Sequence, residues 1–144
     1  GPLPLPFPID VRHCDPLSDN PLEEVIRPPR QLVWMRALGT VPDDDQIHRC
    51  IAGYASDWSL AMTALRPLGL QLMSPRLKMV TSLDHAMWWH KPFRADEWML
   101  YEMETPRACS ARGVNFGRIF TRSGELAMSV AQEALFRLHP ARDE

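Results

Sequence analysis

The chain has 144 residues and a formal net charge of −2; 45% of the residues are hydrophobic and 24% are charged. This composition is typical of one globular domain, and it supplies no overall positive field for binding nucleic acid. The three cysteines, Cys14, Cys50 and Cys109, are widely spaced, which argues against a disulfide framework or a zinc site and favours a reducing, intracellular compartment. No run approaches the roughly 20 apolar residues that a membrane-spanning helix needs.

Proline usage divides the chain into three parts. Residues 1–30 contain eight of the fourteen prolines, which predicts a linker or N-terminal extension without a regular helix or central strand. Residues 31–139 are predicted to form a single domain, followed by a short tail at 140–144. Because the chain begins with Gly1-Pro2 and not with methionine, we expect it to be a fragment of a longer protein.

The first two predicted elements are a strand and a long helix. The segment from Gln31, "QLVWMRALG", predicts a strand of about seven residues. The acidic "PDDDQ" then predicts a capped helix start, and apolar residues recur at spacings of three and four from Ile47 to Leu65. We therefore expect one helix of about twenty residues that ends before Pro67 and Gly69.

Four further strands are predicted after the helix, at about 77–90, 98–107, 112–122 and 125–138. Ser123-Gly124 is a good tight-turn pair, so the last two strands are expected to form an antiparallel hairpin. The order β-α-β-β-β-β predicts an α+β fold in which a curved antiparallel sheet wraps around a long helix.

Three polar residues depart from the packing pattern of their segments. Gln132 is the only polar residue on the inward face of the last predicted strand, so it is either a hydrogen-bonded structural amide or a group that holds a water or a carbonyl oxygen. Asp57 has no charged neighbour at helical spacing, and it either pairs with an arginine from a strand or acts as a general base. Ser82, in "TSLDH", is most simply an ordinary strand hydroxyl. His85 and His90 lack a third ligand at a recognisable spacing, so we expect no metal site.

Four segments of the chain resemble one known family. They are "FPIDVR", "GYASDWSLAMTAL", "SLDHAMWWHKPFRADEWMLYEMETPRACSARG" and "GRIFTRSGELAMSVAQEALFR". In order and spacing they are similar to the C-terminal half of the acyl-CoA thioesterase II family, from about Phe7 to Arg137. The resemblance implies a hotdog fold, in which a curved antiparallel sheet wraps a central helix. Intact members of that family contain two hotdog units, so this chain is expected to hold only the second.

The same resemblance implies a catalytic site. It assigns Asp57, Ser82 and Gln132 the joint role of orienting a water for attack on a thioester carbonyl. The expected substrate is a fatty acyl-CoA, whose phosphates would lie near Lys91 or surface arginines such as Arg94, and no other cofactor is expected. The expected protein partner is a second copy of the chain or an N-terminal hotdog half. Kinship favours a peroxisomal location, with the cytoplasm as the alternative.

Two other functions compete with thioester hydrolysis. Without its partner unit, the chain is alternatively a non-catalytic module that binds acyl-CoA or only dimerises. A hotdog hydratase acting on enoyl-CoA is disfavoured, because Asp57 is followed by Trp58-Ser59 with no nearby histidine. The sequence also contains no GxSxG motif and no glycine-rich phosphate loop, so a serine nucleophile lacks support.

Overall fold

The described part of the chain forms one antiparallel sheet of seven strands. The computed structural model describes residues 7–15, 18–20 and 22–140, so most of the predicted tail and residues 1–6 of the predicted linker lie outside it. The strands are β1 (Ile9–His13), β2 (Arg30–Ala37), β3 (Leu77–Ser82), β4 (Ala86–Trp89), β5 (Met99–Cys109), β6 (Arg112–Thr121) and β7 (Leu126–Leu138). Their order across the sheet is β1-β2-β5-β6-β7-β3, and β4 also pairs with β7.

The sheet curves around two consecutive helical segments. Helix α1 spans Asp45–Asp57, and a 3-10 helix spans Ala61–Leu68. The carboxylate of Asp44 caps α1 by accepting a hydrogen bond from the amide of Gln46 at 2.9 Å. Among the described residues, no helix is both long enough and apolar enough to cross a membrane. One helical layer inside a curved antiparallel sheet confirms the hotdog fold.

The helix is shorter than predicted, and the expectation of a single helix of about twenty residues is wrong. The carbonyl of Ser59 accepts a hydrogen bond from Nε2 of Gln31 at 3.0 Å. The amide of Thr63 bonds at 3.1 Å to the carbonyl of Leu60, three residues back, and not to Ser59. This tertiary contact accompanies the change from α to 3-10 geometry. Helix α1 ends at Asp57, two residues before Ser59.

Strand β1 lies inside the segment that proline content predicts to be a linker. It pairs antiparallel with β2, and Ile9 is buried opposite Ala37. β1 occupies the edge of the sheet, where one side of the backbone needs no strand partner, so a proline-rich segment can still contribute a short strand. Pro8 precedes this strand and does not interrupt it. The division of the chain into a linker and a domain at residue 30 stays a prediction.

The single strand predicted at 77–90 is also wrong, because it is broken into β3 and β4. Residues 83–85 lie opposite residues 132–133 of β7, so three residues face two, as in a β-bulge. Oδ1 of Asp84 accepts a hydrogen bond from the amide of Glu133 at 2.8 Å. A side chain therefore replaces the strand backbone as the partner of this amide of β7. A bulge redirects the side chains that follow it, and here it turns His85 toward β7.

The hairpin predicted between the last two strands is confirmed. β6 and β7 pair antiparallel along most of their length. Gly124 closes the turn with φ of +89°, a left-handed conformation that glycine adopts without a steric penalty. This pairing sets the register in which Gln132 faces the helical layer.

Candidate active site

Asp57 and Gln132 are 75 residues apart in the sequence but are in direct contact. Nε2 of Gln132 donates a hydrogen bond to Oδ1 of Asp57 at 2.5 Å. Gln132 is 1% exposed, whereas the side chain of Asp57 is 57% exposed. The amide therefore reaches from the core to a carboxylate that faces solvent. Among the described residues, no arginine pairs with Asp57, so the alternative of a structural Asp–Arg pair finds no support there.

Ser82 lies at the same place in the fold as this pair. It is the last residue of β3, and its pairing with Ala134 brings it beside the inward face of β7. Ser82 and Asp57 line one open cleft of about 480 Å³. The other lining residues come from α1, its end and the bulge: Gly53, Tyr54, Trp58, Leu83, Asp84 and His85. All three residues singled out from the sequence thus lie in or directly beside one cleft.

His85 joins this group, although the sequence pattern was used only to reject it as a metal ligand. Its Nδ1 lies 2.9 Å from Nε2 of Gln132 and 3.7 Å from Oδ1 of Asp57. Its Nε2 lies 2.9 Å from Oγ of Ser56, whose hydroxyl donates to the carbonyl of Gly53 at 2.8 Å. The available signal was the position of His85 directly after the "SLD" of the candidate serine segment. A regular strand would have pointed this side chain elsewhere.

Tyr101 holds the last turn of α1 through the backbone of Ser56. Its ring is fully buried, and its hydroxyl donates to the carbonyl of Ser56 at 2.8 Å. Burial, and secondarily the negative charge of Asp57, raise the pKa of Tyr101 above its ordinary value. The phenol therefore remains a hydrogen-bond donor throughout the physiological pH range, and it holds the residue next to Asp57 in place.

A second buried contact holds the backbone of Gln132. Nδ2 of Asn115, on β6, donates to the carbonyl of Gln132 at 3.3 Å. Oδ1 of Asn115 accepts from the hydroxyl of Thr105 at 2.6 Å, and Asn115 is fully buried. Because these groups have no access to water, each hydrogen bond resists displacement. The strand that carries Gln132 is therefore rigidly placed opposite α1.

The basic residues expected near the phosphates are engaged by carboxylates. Lys91 pairs with Glu125, and Arg94 pairs with Asp43 and Asp96. The Arg94 hydrogen bond, followed by one from the amide of Val41, lowers the pKa of Asp96 to about 2. A phosphate would have to compete with these acids for Lys91 or Arg94, so their role as phosphate contacts stays a prediction.

The chemistry available in the cleft is that of a solvent-facing carboxylate with one oxygen held in place. Gln132 occupies Oδ1, and the other carboxylate oxygen can accept a proton. A hydroxyl group lies along the same cleft at Ser82. The fold and this cleft together place the protein among the hotdog proteins with a polar site at the end of the central helix.

Comparison with known proteins identifies the family. The profile that describes the acyl-CoA thioesterases matches residues 18–135, and the chain belongs to the acyl-CoA thioesterase family. Acyl-coenzyme A thioesterase 8 of Homo sapiens is 41% identical over 139 residues, which are 95% of this chain and 42% of the human protein. Acyl-CoA thioesterase 2 of Haemophilus influenzae is 32% identical over 132 residues, 92% of this chain and 44% of the bacterial protein.

A solved structure gives the same picture in three dimensions. The crystal structure of an acyl-CoA thioesterase II, TesB2, from Mycobacterium marinum aligns with a TM-score of 0.72 and 39% sequence identity. The alignment covers 92% of this chain and 50% of the mycobacterial chain. This chain thus spans less than half the length of the curated relatives it matches and about half of that structure.

Proposed function

We propose that the chain carries a catalytic site that hydrolyses fatty acyl-CoA to a free fatty acid and coenzyme A. A water deprotonated by Asp57 and oriented by Ser82 and Gln132 performs the attack. The observation that carries this proposal is the hydrogen bond between Gln132 and Asp57 beside a cleft that also contains Ser82. The substrate class rests on membership of the acyl-CoA thioesterase family.

The reaction needs no acyl-enzyme intermediate. Asp57 takes a proton from the water on its second carboxylate oxygen, while Gln132 keeps Oδ1 in place. The resulting hydroxide forms a bond to the thioester carbonyl carbon, and the Ser82 hydroxyl helps to orient the water and to polarise the carbonyl. The tetrahedral intermediate then breaks its C–S bond, and the proton held by Asp57 passes to the departing thiolate of coenzyme A. Gln132 acts on the water through Asp57, since its Nε2 donates to Oδ1 of Asp57 and its other neighbour at hydrogen-bond distance is Nδ1 of His85.

The cleft offers apolar surface for the acyl chain. Tyr54 is 54% exposed, and Trp58 and Leu83 are each 49% exposed, all three at the cleft wall. Exposed aromatic and aliphatic groups beside a polar centre suit a ligand with one reactive polar group and an apolar tail. The acyl tail is therefore placed along these residues in the proposal.

A non-catalytic role is the second candidate, and one observation favours it. The chain corresponds to 42–50% of its relatives, so the complete site environment can depend on another hotdog unit. Trp88 and Phe116 are 53% and 43% exposed on the outer side of the sheet, where a partner could cover them. In this case the chain binds acyl-CoA or pairs with a second copy or an N-terminal hotdog half without turnover. Its compartment, peroxisomal or cytoplasmic, stays a prediction.

The test of the catalytic proposal is Asp57→Asn. An asparagine carbonyl can still accept the hydrogen bond from Gln132, so the thermal melting curve should stay close to that of the unsubstituted chain. Loss of the general base should lower turnover by about 10²- to 10⁴-fold. The assay follows release of free thiol from acyl-CoAs of several chain lengths.

Asp45→Asn provides a matched control, since it removes an exposed acid from the opposite end of the same helix. Thiol release should be unchanged in that variant. Full activity of Asp57→Asn would contradict the assignment of Asp57. An unsubstituted chain that binds acyl-CoA in calorimetry but releases no thiol would favour the binding-module alternative. Sedimentation analysis of the same sample would show whether it dimerises.

A further inference from the structure

The orientation of the Gln132 amide depends on a residue to which no catalytic role has been given. We propose that His85, as a neutral imidazole carrying its proton on Nε2, is the positioning residue that holds the Gln132 amide and, through it, the Asp57 carboxylate. This inference rests on the proposed function for its catalytic consequence. The hydrogen-bond assignment itself stands on the geometry of the cleft.

The direction of every hydrogen bond follows from the carboxylate. An ionised carboxylate only accepts hydrogen bonds, so the Gln132 atom 2.5 Å from Oδ1 of Asp57 is the amide nitrogen. The same nitrogen lies 2.9 Å from Nδ1 of His85, and an amide NH₂ group has a second hydrogen to donate. Nδ1 must therefore present its lone pair, and the proton of the neutral ring must lie on Nε2.

The other side of the imidazole agrees with this tautomer. Nε2 of His85 lies 2.9 Å from Oγ of Ser56, whose hydroxyl hydrogen is already donated to the carbonyl of Gly53 at 2.8 Å. The Ser56 oxygen is therefore left to accept a hydrogen bond from Nε2. Donation thus runs in one direction, from Gln132 through His85 and Ser56 to the backbone of α1. The opposite tautomer would set an N–H of His85 against the NH₂ of Gln132, with no acceptor between them.

His85 is needed because the amide has few other constraints. Oε1 of Gln132 is buried and has no hydrogen-bond partner among the described residues, so the oxygen does not hold the amide in its orientation. Asp57 is 57% exposed, whereas His85 is 20% exposed. An exposed carboxylate alone is a mobile partner. The more buried imidazole supplies the fixed acceptor.

The main chain around His85 is itself fixed. The bulge that carries His85 is held to β7 by Asp84, whose Oδ1 accepts from the amide of Glu133, and by the amide of Leu83, which donates to the carbonyl of Glu133 at 2.8 Å. Ser56 is held on the other side by the buried hydroxyl of Tyr101. The imidazole therefore bridges two rigid elements, and it transmits that rigidity to the Gln132 amide.

Two amide substitutions separate positioning from packing. In His85→Asn the side-chain oxygen can occupy the place of Nδ1 and accept from Gln132. In His85→Gln the longer amide reaches toward the place of Nε2 and Ser56, and no acceptor remains for Gln132. Each variant has an uncharged amide, so a loss confined to His85→Gln identifies the acceptor at the Nδ1 position as the required feature.

The kinetic expectation differs between the two variants. His85→Gln should lower kcat by about 10- to 100-fold with KM changed by less than about 2-fold, because only the geometry of the reacting groups is disturbed. His85→Asn should retain kcat within about 3-fold of the unsubstituted chain, the residual loss expected for an imperfect replacement of a positioning group. Equal losses in both variants, or a loss that appears only in KM, would overturn the positioning role. Thermal melting of both variants shows that the comparison is made between folded proteins.

A second measurement is independent of activity. Long-range ¹H–¹⁵N correlation spectra of the unsubstituted chain should show His85 as the Nε2–H tautomer, with the signals assigned by their absence in His85→Asn. An Nδ1–H tautomer would overturn the inference whatever the kinetics show. Absence of thiol release from the unsubstituted chain would instead overturn the proposed function and the catalytic consequence for His85, while the spectrum still decides the hydrogen-bond assignment.

Discussion

Substitution of Gly117 by alanine gives a demanding test of how the site is supported. Gly117 lies on β6 and faces the ring of Tyr101 on the neighbouring strand β5. A Cβ atom at position 117 would lie 2.4 Å from Cε2 of Tyr101 and 2.7 Å from its hydroxyl oxygen. Ordinary van der Waals contact begins at 3.4 Å, so the ring would have to move by about 1 Å.

The ring has little room for such a shift. Tyr101 is fully buried, and its hydroxyl is bonded to the carbonyl of Ser56 beside Asp57. Overpacking in a core costs about 1–3 kcal/mol, and loss of the hydroxyl contact adds about 1 kcal/mol. We expect Gly117→Ala to lower the free energy of unfolding by about 2–4 kcal/mol, a large part of the 5–15 kcal/mol typical of a domain. Thiol release should also fall, because the residue next to Asp57 loses its anchor.

Denaturant unfolding measures the effect, and two comparisons locate its cause. Gly53→Ala introduces a Cβ that meets the flexible thioether of Met87 at 3.3 Å, so its stability should be unchanged or higher by up to about 1 kcal/mol, the helical advantage of alanine. The double variant Gly117→Ala/Tyr101→Leu should recover part of the free energy of unfolding that Gly117→Ala loses, because leucine lacks the ring atom nearest to the new Cβ. The double variant Gly117→Ala/Tyr101→Phe should not. A Gly117→Ala protein as stable as the unsubstituted chain would refute the close contact.

Two further predictions concern residues away from the cleft. Gln31→Leu removes the side chain that donates to the Ser59 carbonyl. It should lower the free energy of unfolding by about 1–3 kcal/mol in the same denaturant assay. No change is expected only if a water molecule replaces the lost amide. The pKa of Asp96 is lowered to about 2 by Arg94 and the amide of Val41, so its stabilisation is present above pH about 4 and is lost as the pH falls through about 2. In Asp96→Asn, the free energy of unfolding should therefore fall less steeply as the pH is lowered. An unchanged pH dependence would contradict the stabilising role of the Asp96 carboxylate.

Much of the fold follows from local patterns that the structure confirms. The acidic cap at the start of α1 and the turn at Gly124 depend on neighbouring residues, and both are where the sequence indicates. The alternation along β7 places Gln132 on the inward face because side chains of a strand point to opposite sides in turn. Membership of the acyl-CoA thioesterase family is confirmed as well, whereas the catalytic roles of Asp57, Ser82 and Gln132 stay predictions.

The polar interior of the cleft could not be deduced in the same way. The spacing of apolar residues describes one segment of the chain. It does not show whether a side chain distant in the sequence forms a hydrogen bond with the backbone of that segment. Helix α1 ends two residues before Ser59, whose carbonyl is bonded to Gln31, and the strand predicted at 77–90 bulges where Asp84 binds the amide of Glu133.

Local chemistry alone therefore determined the start of α1, the hairpin between β6 and β7, and the inward position of the Gln132 amide. Tertiary contacts decided where α1 ends, how the strand breaks and why His85 meets Gln132, because each depends on hydrogen bonds between residues that are distant in the sequence. A buried polar group must find a partner, and only the folded chain specifies which partner is within reach.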